Sequence, residues 1–104
     1  MFDSFKKLLG LGPKKSYKEM CQEGAIILDV RTKGEFSSGC IKKSVNIPVE
    51  QLEKNLSKLK DKDQVIICCC ASGMRSGMAK RILKSHGYQN VYNGGGWMSL
   101  RGKI

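Results

Sequence analysis

The sequence predicts an α/β domain with a mainly parallel sheet, and three observations carry that prediction. Ala25-Ile26-Ile27-Leu28-Asp29-Val30 and Val65-Ile66-Ile67-Cys68-Cys69 are continuous apolar runs with β-branched members, the pattern of strands buried on both faces. Each run leads into a helix-starting pattern, and strands that alternate with helices build a sheet covered on its faces. At 104 residues the chain is the size of one domain with one core.

The elements follow in order. Phe2, Phe5, Leu8 and Leu9 share one helical face until Gly10-Leu11-Gly12-Pro13 breaks the pattern, so residues 1–13 are expected to be a short amphipathic segment and linker ahead of a domain over 14–104. So short a segment docks or frays rather than holding stably to a membrane. Ser16-Tyr17-Lys18-Glu19 has the capping-box pattern, in which serine and glutamate satisfy free backbone donors, and Gly24 is a natural stop for that helix. Thr32-Lys33-Gly34-Glu35 is a second such box, directly after the first strand. Val45-Asn46-Ile47-Pro48 reads as a short strand, and Leu52, Leu56 and Leu59 mark a helical face from about residue 50 to 60. After the second long strand, Met74, Met78, Ile82 and Leu83 stand at helical spacing, and His86-Gly87 ends that helix. Val91-Tyr92 is a last short strand, and Gly94-Gly95-Gly96-Trp97 leads into a final turn or short helix.

Composition excludes several classes. Forty per cent apolar and 27% charged residues describe an ordinary soluble globular protein, and no apolar run is long enough to span a bilayer. Nineteen Lys and Arg against nine Asp and Glu give a net charge of +10, which favours anionic partners. The basic residues come as scattered doublets and along one helix, without aromatic residues to stack on bases, so a generally solvated basic surface is expected rather than nucleic-acid binding. Five cysteines, three of them adjacent at Cys68, Cys69 and Cys70, suit neither a disulfide framework nor a zinc site. Reduced thiols in a cytoplasmic setting fit better, and Asp3 stands where a signal peptide has basic residues.

The chemistry is concentrated in Cys70-Ala71-Ser72-Gly73-Met74-Arg75-Ser76, between the carboxyl end of a buried strand and the amino end of a helix. Open α/β sheets bind ligands at that junction. A loop wrapped there points backbone N–H groups inward, and the helix dipole adds partial positive charge. With the strand ending at Cys69 and the loop opening at Cys70, Cys70 is expected to be an exposed thiolate, stabilised by those donors and by Arg75. Gly73 permits the tight backbone that the cradle needs. Cys68 and Cys69 read as small apolar residues finishing the strand, and Cys21 and Cys40 as structural.

These stretches resemble the rhodanese-like family from about residue 16 to 102. Leu28-Asp29-Val30-Arg31 with Glu35-Phe36 is similar to its Asp-x-Arg and Glu-Phe signature. Gly39-Cys40-Ile41 with Asn46-Ile47-Pro48 is similar to its Gly-His-Ile and Asn-Ile-Pro segment. Cys70 to Ser76 resembles its active-site loop, and Gly94-Gly95-Gly96-Trp97 its closing glycine-tryptophan region. The resemblance implies a central parallel five-stranded sheet flanked by helices on both sides. It implies a sulfurtransferase in which Cys70 carries a persulfide, with Arg75 as its catalytic cation and Ala71, Ser72, Gly73, Met74 and Ser76 around the substrate. It also implies no metal and no cofactor, a small anionic sulfur donor such as thiosulfate, a thiol or protein cysteine as acceptor, and a monomer. Asp29 and Arg31 fall beside the loop, with Arg31 expected to pair with Glu35. Two positions depart from the family: Cys40 replaces the usual histidine, and Leu100 a common second tryptophan.

Two other functions share these residues. Counted from Cys69, five residues precede Arg75-Ser76, the spacing of cysteine-dependent phosphatases. That register puts Ser72 where the phosphatase pattern has glycine, whereas Gly73 is third after Cys70 as the sulfur-transfer pattern asks. A non-catalytic interaction module is the other alternative, although such domains usually lack the loop cysteine.

Overall fold

Both capping boxes form, and each starts a short helix. The computed structural model describes residues 15–104, so the segment expected over residues 1–13 lies outside the described residues. Ser16 Oγ accepts from the Glu19 amide at 3.1 Å and opens α1 (Tyr17–Gln22). Thr32 Oγ1 accepts from the Glu35 amide at 3.2 Å and opens α2 (Lys33–Ser37). In both boxes the glutamate carboxylate reaches back to the cap amide.

The strands are β1 (Ile26–Asp29), β2 (Val45–Asn46), β3 (Ile66–Cys70) and β4 (Val91–Gly96), all parallel in the order β2-β1-β3-β4. Among the described residues the sheet has four strands, not the expected five. The remaining apolar stretch between β2 and β3, at Leu52, Leu56 and Leu59, has helical rather than alternating spacing. It coils into two 3-10 segments, Val49–Gln51 and Glu53–Lys58, where the sequence predicts one helix. Asn55 interrupts it with φ −122°, its side-chain amide donating to the Gln51 carbonyl at 2.8 Å, the kind of local competition that stops a helix from propagating. Leu52 and Leu59 still reach the core.

The two-residue period of the strands divides the core between the faces of the sheet. Leu28, Ile66, Cys68 and Cys70 point to the face packed by Leu52, Leu59 and α3 (Met74–Ser85). Ile27, Ile67 and Cys69 point to the other, against Met20 of α1 and Trp97 and Leu100 of α4 (Trp97–Arg101). β3 runs one residue further than expected, through Cys70, and every residue of it is buried. On α3 the sheet-facing residues are Ser76, Ala79 and Leu83, while Met74 and Met78 are 80% and 43% exposed. The helix is rotated from the expected face because Ser76 and Ala79 are small enough to let it approach the sheet and put Ser76 beside Cys70. The methionines are therefore surface residues, not core.

Candidate active site

The loop after β3 is shaped by a bulge in β4. Cys68 is opposite Asn93 and Cys70 opposite Gly96, so two residues of β4 face one of β3. The bulge brings β4 backbone against the loop so closely that a Cβ on Gly96 would be 2.9 Å from the Ala71 carbonyl oxygen. Gly73, the N-cap of α3, has φ 107°, a conformation that favours glycine, and turns its amide back toward β3. Gly96→Ala should therefore displace the loop and destabilise the fold by about 1–3 kcal/mol. Gly34→Ala, whose added methyl meets nothing within 4 Å, should be neutral or stabilising. Thermal melts of the two variants check this.

Two amides donate to Cys70 Sγ, and the Sγ–H in turn donates to the Ser76 hydroxyl, which can turn its own proton to the sulfur once that is an anion. The Gly73 amide lies at 2.9 Å, the Ser76 amide at 3.4 Å and Ser76 Oγ at 3.4 Å. Burial pushes the thiol pKa up, but the Ser76 hydroxyl and the Ser76, Gly73 and Ser72 amides together outweigh it and leave the pKa below that of an ordinary thiol. The residue is 1% exposed, not open to solvent as the sequence suggests, because the loop that stabilises the sulfur also covers it. Ala71, Ser72 and Met74 are exposed around that cover. Cys69, on the opposite face, packs with Ile27, Ile41, Ile67 and Trp97. Burial pushes the thiols of Cys68 and Cys69 up to about 12 each, so both are neutral thiols.

Arg31 does not form the ion pair expected with Glu35, which takes Arg75 instead. Arg31 donates through Nε and Nη2 to the Asp29 carboxylate, at 2.9 and 2.7 Å, and through Nη2 to the Gly39 carbonyl at 2.7 Å. Its hydrogen bond to Glu35 goes to the backbone carbonyl, at 3.3 Å. Asp29 and Arg31 are both buried, and the Arg31 guanidinium lies 4.6 Å from the centre of the Trp97 ring, with Arg101 also stacked on that ring. The Glu35 carboxylate instead takes Arg75, Nη1 to Oε1 at 2.7 Å and Nη2 to Oε2 at 3.0 Å. The reason is local: the capping box turns Glu35 outward at the start of α2, whereas Arg31 follows β1 inward to Asp29. The Arg75 hydrogen bonds and the Thr32 amide hold the Glu35 pKa down at about 2. The pair is therefore intact at neutral pH and is lost only as pH falls from the usual carboxylate range toward 2.

Asn93 was not singled out by its sequence, which shows only a polar residue before a glycine run. Its Oδ1 accepts from Ser76 Oγ at 2.6 Å and from the Gly95 amide at 3.0 Å, and its Nδ2 donates to the Gly73 carbonyl at 3.2 Å. No element pattern could have found it, because the contact depends on the bulge. Cys21 and Cys40 are partly buried free thiols.

The fold is a parallel sheet with a cysteine at the carboxyl end of a central strand, under a loop that opens a helix. The rhodanese-like domain family matches residues 13–102, and the chain belongs to that family. Thiosulfate sulfurtransferase PspE of Escherichia coli is 31% identical over 70 residues, 66% of this chain and 67% of that protein. A sulfurtransferase of Allochromatium vinosum is 35% identical over 82 residues, 79% of this chain and 70% of that one. YrkF of Bacillus subtilis is 39% identical over 71 residues, 68% of this chain, which spans only 38% of that longer protein. Among solved structures, a rhodanese-like domain protein from Staphylococcus aureus is 30% identical with a TM-score of 0.70, covering 83% of this chain and 84% of that one. A human single-domain sulfurtransferase is 24% identical with a TM-score of 0.71, covering 89% and 98% of the two chains, and shares the fold.

Proposed function

We propose that this domain is a sulfurtransferase that moves a sulfane sulfur from a small anionic donor such as thiosulfate to a thiol acceptor through a persulfide on Cys70. The observation that carries the reading is the convergence of two amides and one hydroxyl on a single sulfur atom. In the first step the Cys70 thiolate attacks the outer sulfur of thiosulfate, forming an S–S bond as the donor's own S–S bond breaks and sulfite leaves with the electron pair. The negative charge moves to the outer sulfur of the persulfide, toward the mouth of the loop. In the second step an acceptor thiolate attacks that outer sulfur, and Cys70 leaves as the thiolate that began the cycle.

The cradle is suited to both steps, since its donors are fixed in place before charge arrives. Ala71, Ser72, Gly73, Met74 and Ser76 would contact the transferred group, and exposed Met74 offers a soft apolar contact to an acceptor. Arg75, held by Glu35 and partly exposed, would draw the anionic donor in. The names of the Escherichia coli and Allochromatium vinosum relatives support transfer of sulfur. Against a phosphatase stands the placement of Cys69, which that register requires as nucleophile and which packs in the core. Assays of sulfur transfer and of phosphate-ester hydrolysis on one preparation test the reading. Thiosulfate-dependent transfer without phosphate release is expected, and phosphate release without transfer would overturn it.

A further inference from the structure

The Ser76 hydroxyl has one proton and three acceptors around it: Asn93 Oδ1 at 2.6 Å, the Gly73 carbonyl at 3.1 Å and Cys70 Sγ at 3.4 Å. The orientation of the Asn93 amide is fixed by backbone groups whose roles are not in question. The Gly95 N–H can only donate, so the atom it meets is the amide oxygen, and the Gly73 carbonyl can only accept, so the atom it meets is the amide nitrogen. Ser76 must then be the donor in its short bond to Asn93. The Gly73 carbonyl already accepts from the Gly77 amide and from Asn93 Nδ2, and has no need of the hydroxyl. The proton is thus shared between Asn93 and Cys70.

We propose, on the reading that Cys70 carries the transferred sulfur, that Asn93 is a positioning residue that holds the Ser76 hydroxyl proton while Cys70 Sγ is neutral and yields it while Sγ is an anion. In the free thiol, Cys70 donates to Ser76 Oγ and Ser76 donates to Asn93. In the thiolate, the hydroxyl turns to Sγ, and Asn93 Oδ1 keeps the Gly95 amide. Asn93 is at the surface, so water can take the place that Ser76 leaves, and the switch costs little. In the persulfide the charge has moved to the outer sulfur, and the hydroxyl returns to Asn93. The donor set around Sγ therefore follows the charge through the cycle instead of favouring one state throughout.

The test is a mutant cycle read on the ionisation of Cys70, followed by the carbon NMR shift of its Cβ across pH. It needs no sulfur donor. The charged groups nearby are Arg75 with Glu35 from α3 and α2, and Asp29 at the end of β1 with Arg31 just after it; Lys80 acts on Cys68, and Cys68 and Cys69 stay neutral. None of these is altered in the cycle. Asn93→Leu keeps bulk and removes the competing acceptor, so the Cys70 midpoint should move to lower pH, with the thiolate fraction below the midpoint rising roughly three- to tenfold, the worth of one hydrogen bond. In a Ser76→Ala background the same substitution should have no such effect. A merely structural Asn93 would give the opposite sign, because a loosened cradle stabilises the thiolate less. A midpoint that rises or stays in place, or that moves equally with and without Ser76, overturns the proposal; Asn93→Ala serves in the same cycle should Asn93→Leu not fold. Failure of the sulfur-transfer reading would appear separately, as a wild-type mass unchanged by thiosulfate.

Discussion

Cys70→Ser is expected to lower sulfur transfer by several orders of magnitude, while Cys69→Ser leaves the rate per folded molecule nearly unchanged. The two residues are neighbours in the chain and on opposite faces of β3, so only one can meet the loop. A serine at position 70 receives the same donors but does not lose its proton near neutral pH. A serine at position 69 places a hydroxyl among Ile27, Ile67 and Trp97, which should destabilise the fold by about 1–3 kcal/mol without touching the cradle. Rates with thiosulfate, normalised to the folded fraction, check the pair. Activity lost at position 69 and kept at position 70 would move the nucleophile and revive the phosphatase register.

Arg31→Ala is expected to have the largest effect on stability. It leaves the Asp29 carboxylate buried without its cation, which typically costs about 3–5 kcal/mol, and removes the guanidinium from the face of Trp97. For a domain of this size that is a fall in melting temperature on the order of 15–30 °C. Arg75→Ala breaks a half-exposed pair with Glu35, so its stability should change by no more than about 1 kcal/mol. Its transfer rate should fall much further than its stability does. Melts and rates measured side by side separate the two arginines, and a fully active Arg75→Ala variant would remove that residue from the mechanism.

What the sequence makes legible here is what depends on local pattern. The capping boxes at Ser16 and Thr32 are satisfied within three residues, and the apolar runs of β1 and β3 are buried whichever strands flank them. The position of Cys70 under a helix start follows from the same local order. The expectations that failed concern choices made between distant segments. Arg31 is four residues from Glu35 and Arg75 forty, and the fold gives Glu35 the distant arginine while Arg31 turns to Asp29. Met74 and Met78 have helical spacing, but the face that α3 turns inward is set by the small residues Ser76 and Ala79 against the sheet. Asn93 gains its contacts through one extra residue in β4, which no periodicity announces. The family resemblance supplied a fifth strand that the described residues do not form.

The most direct test of the account is the intact mass of the folded protein after incubation with thiosulfate under non-reducing conditions, with peptide mapping of the modified residue. The account predicts a gain of one sulfur atom, located on Cys70, reversed by a thiol acceptor and absent from Cys70→Ser. An unchanged mass in protein shown to be folded, or a sulfur carried on Cys21 or Cys40 instead, would contradict it.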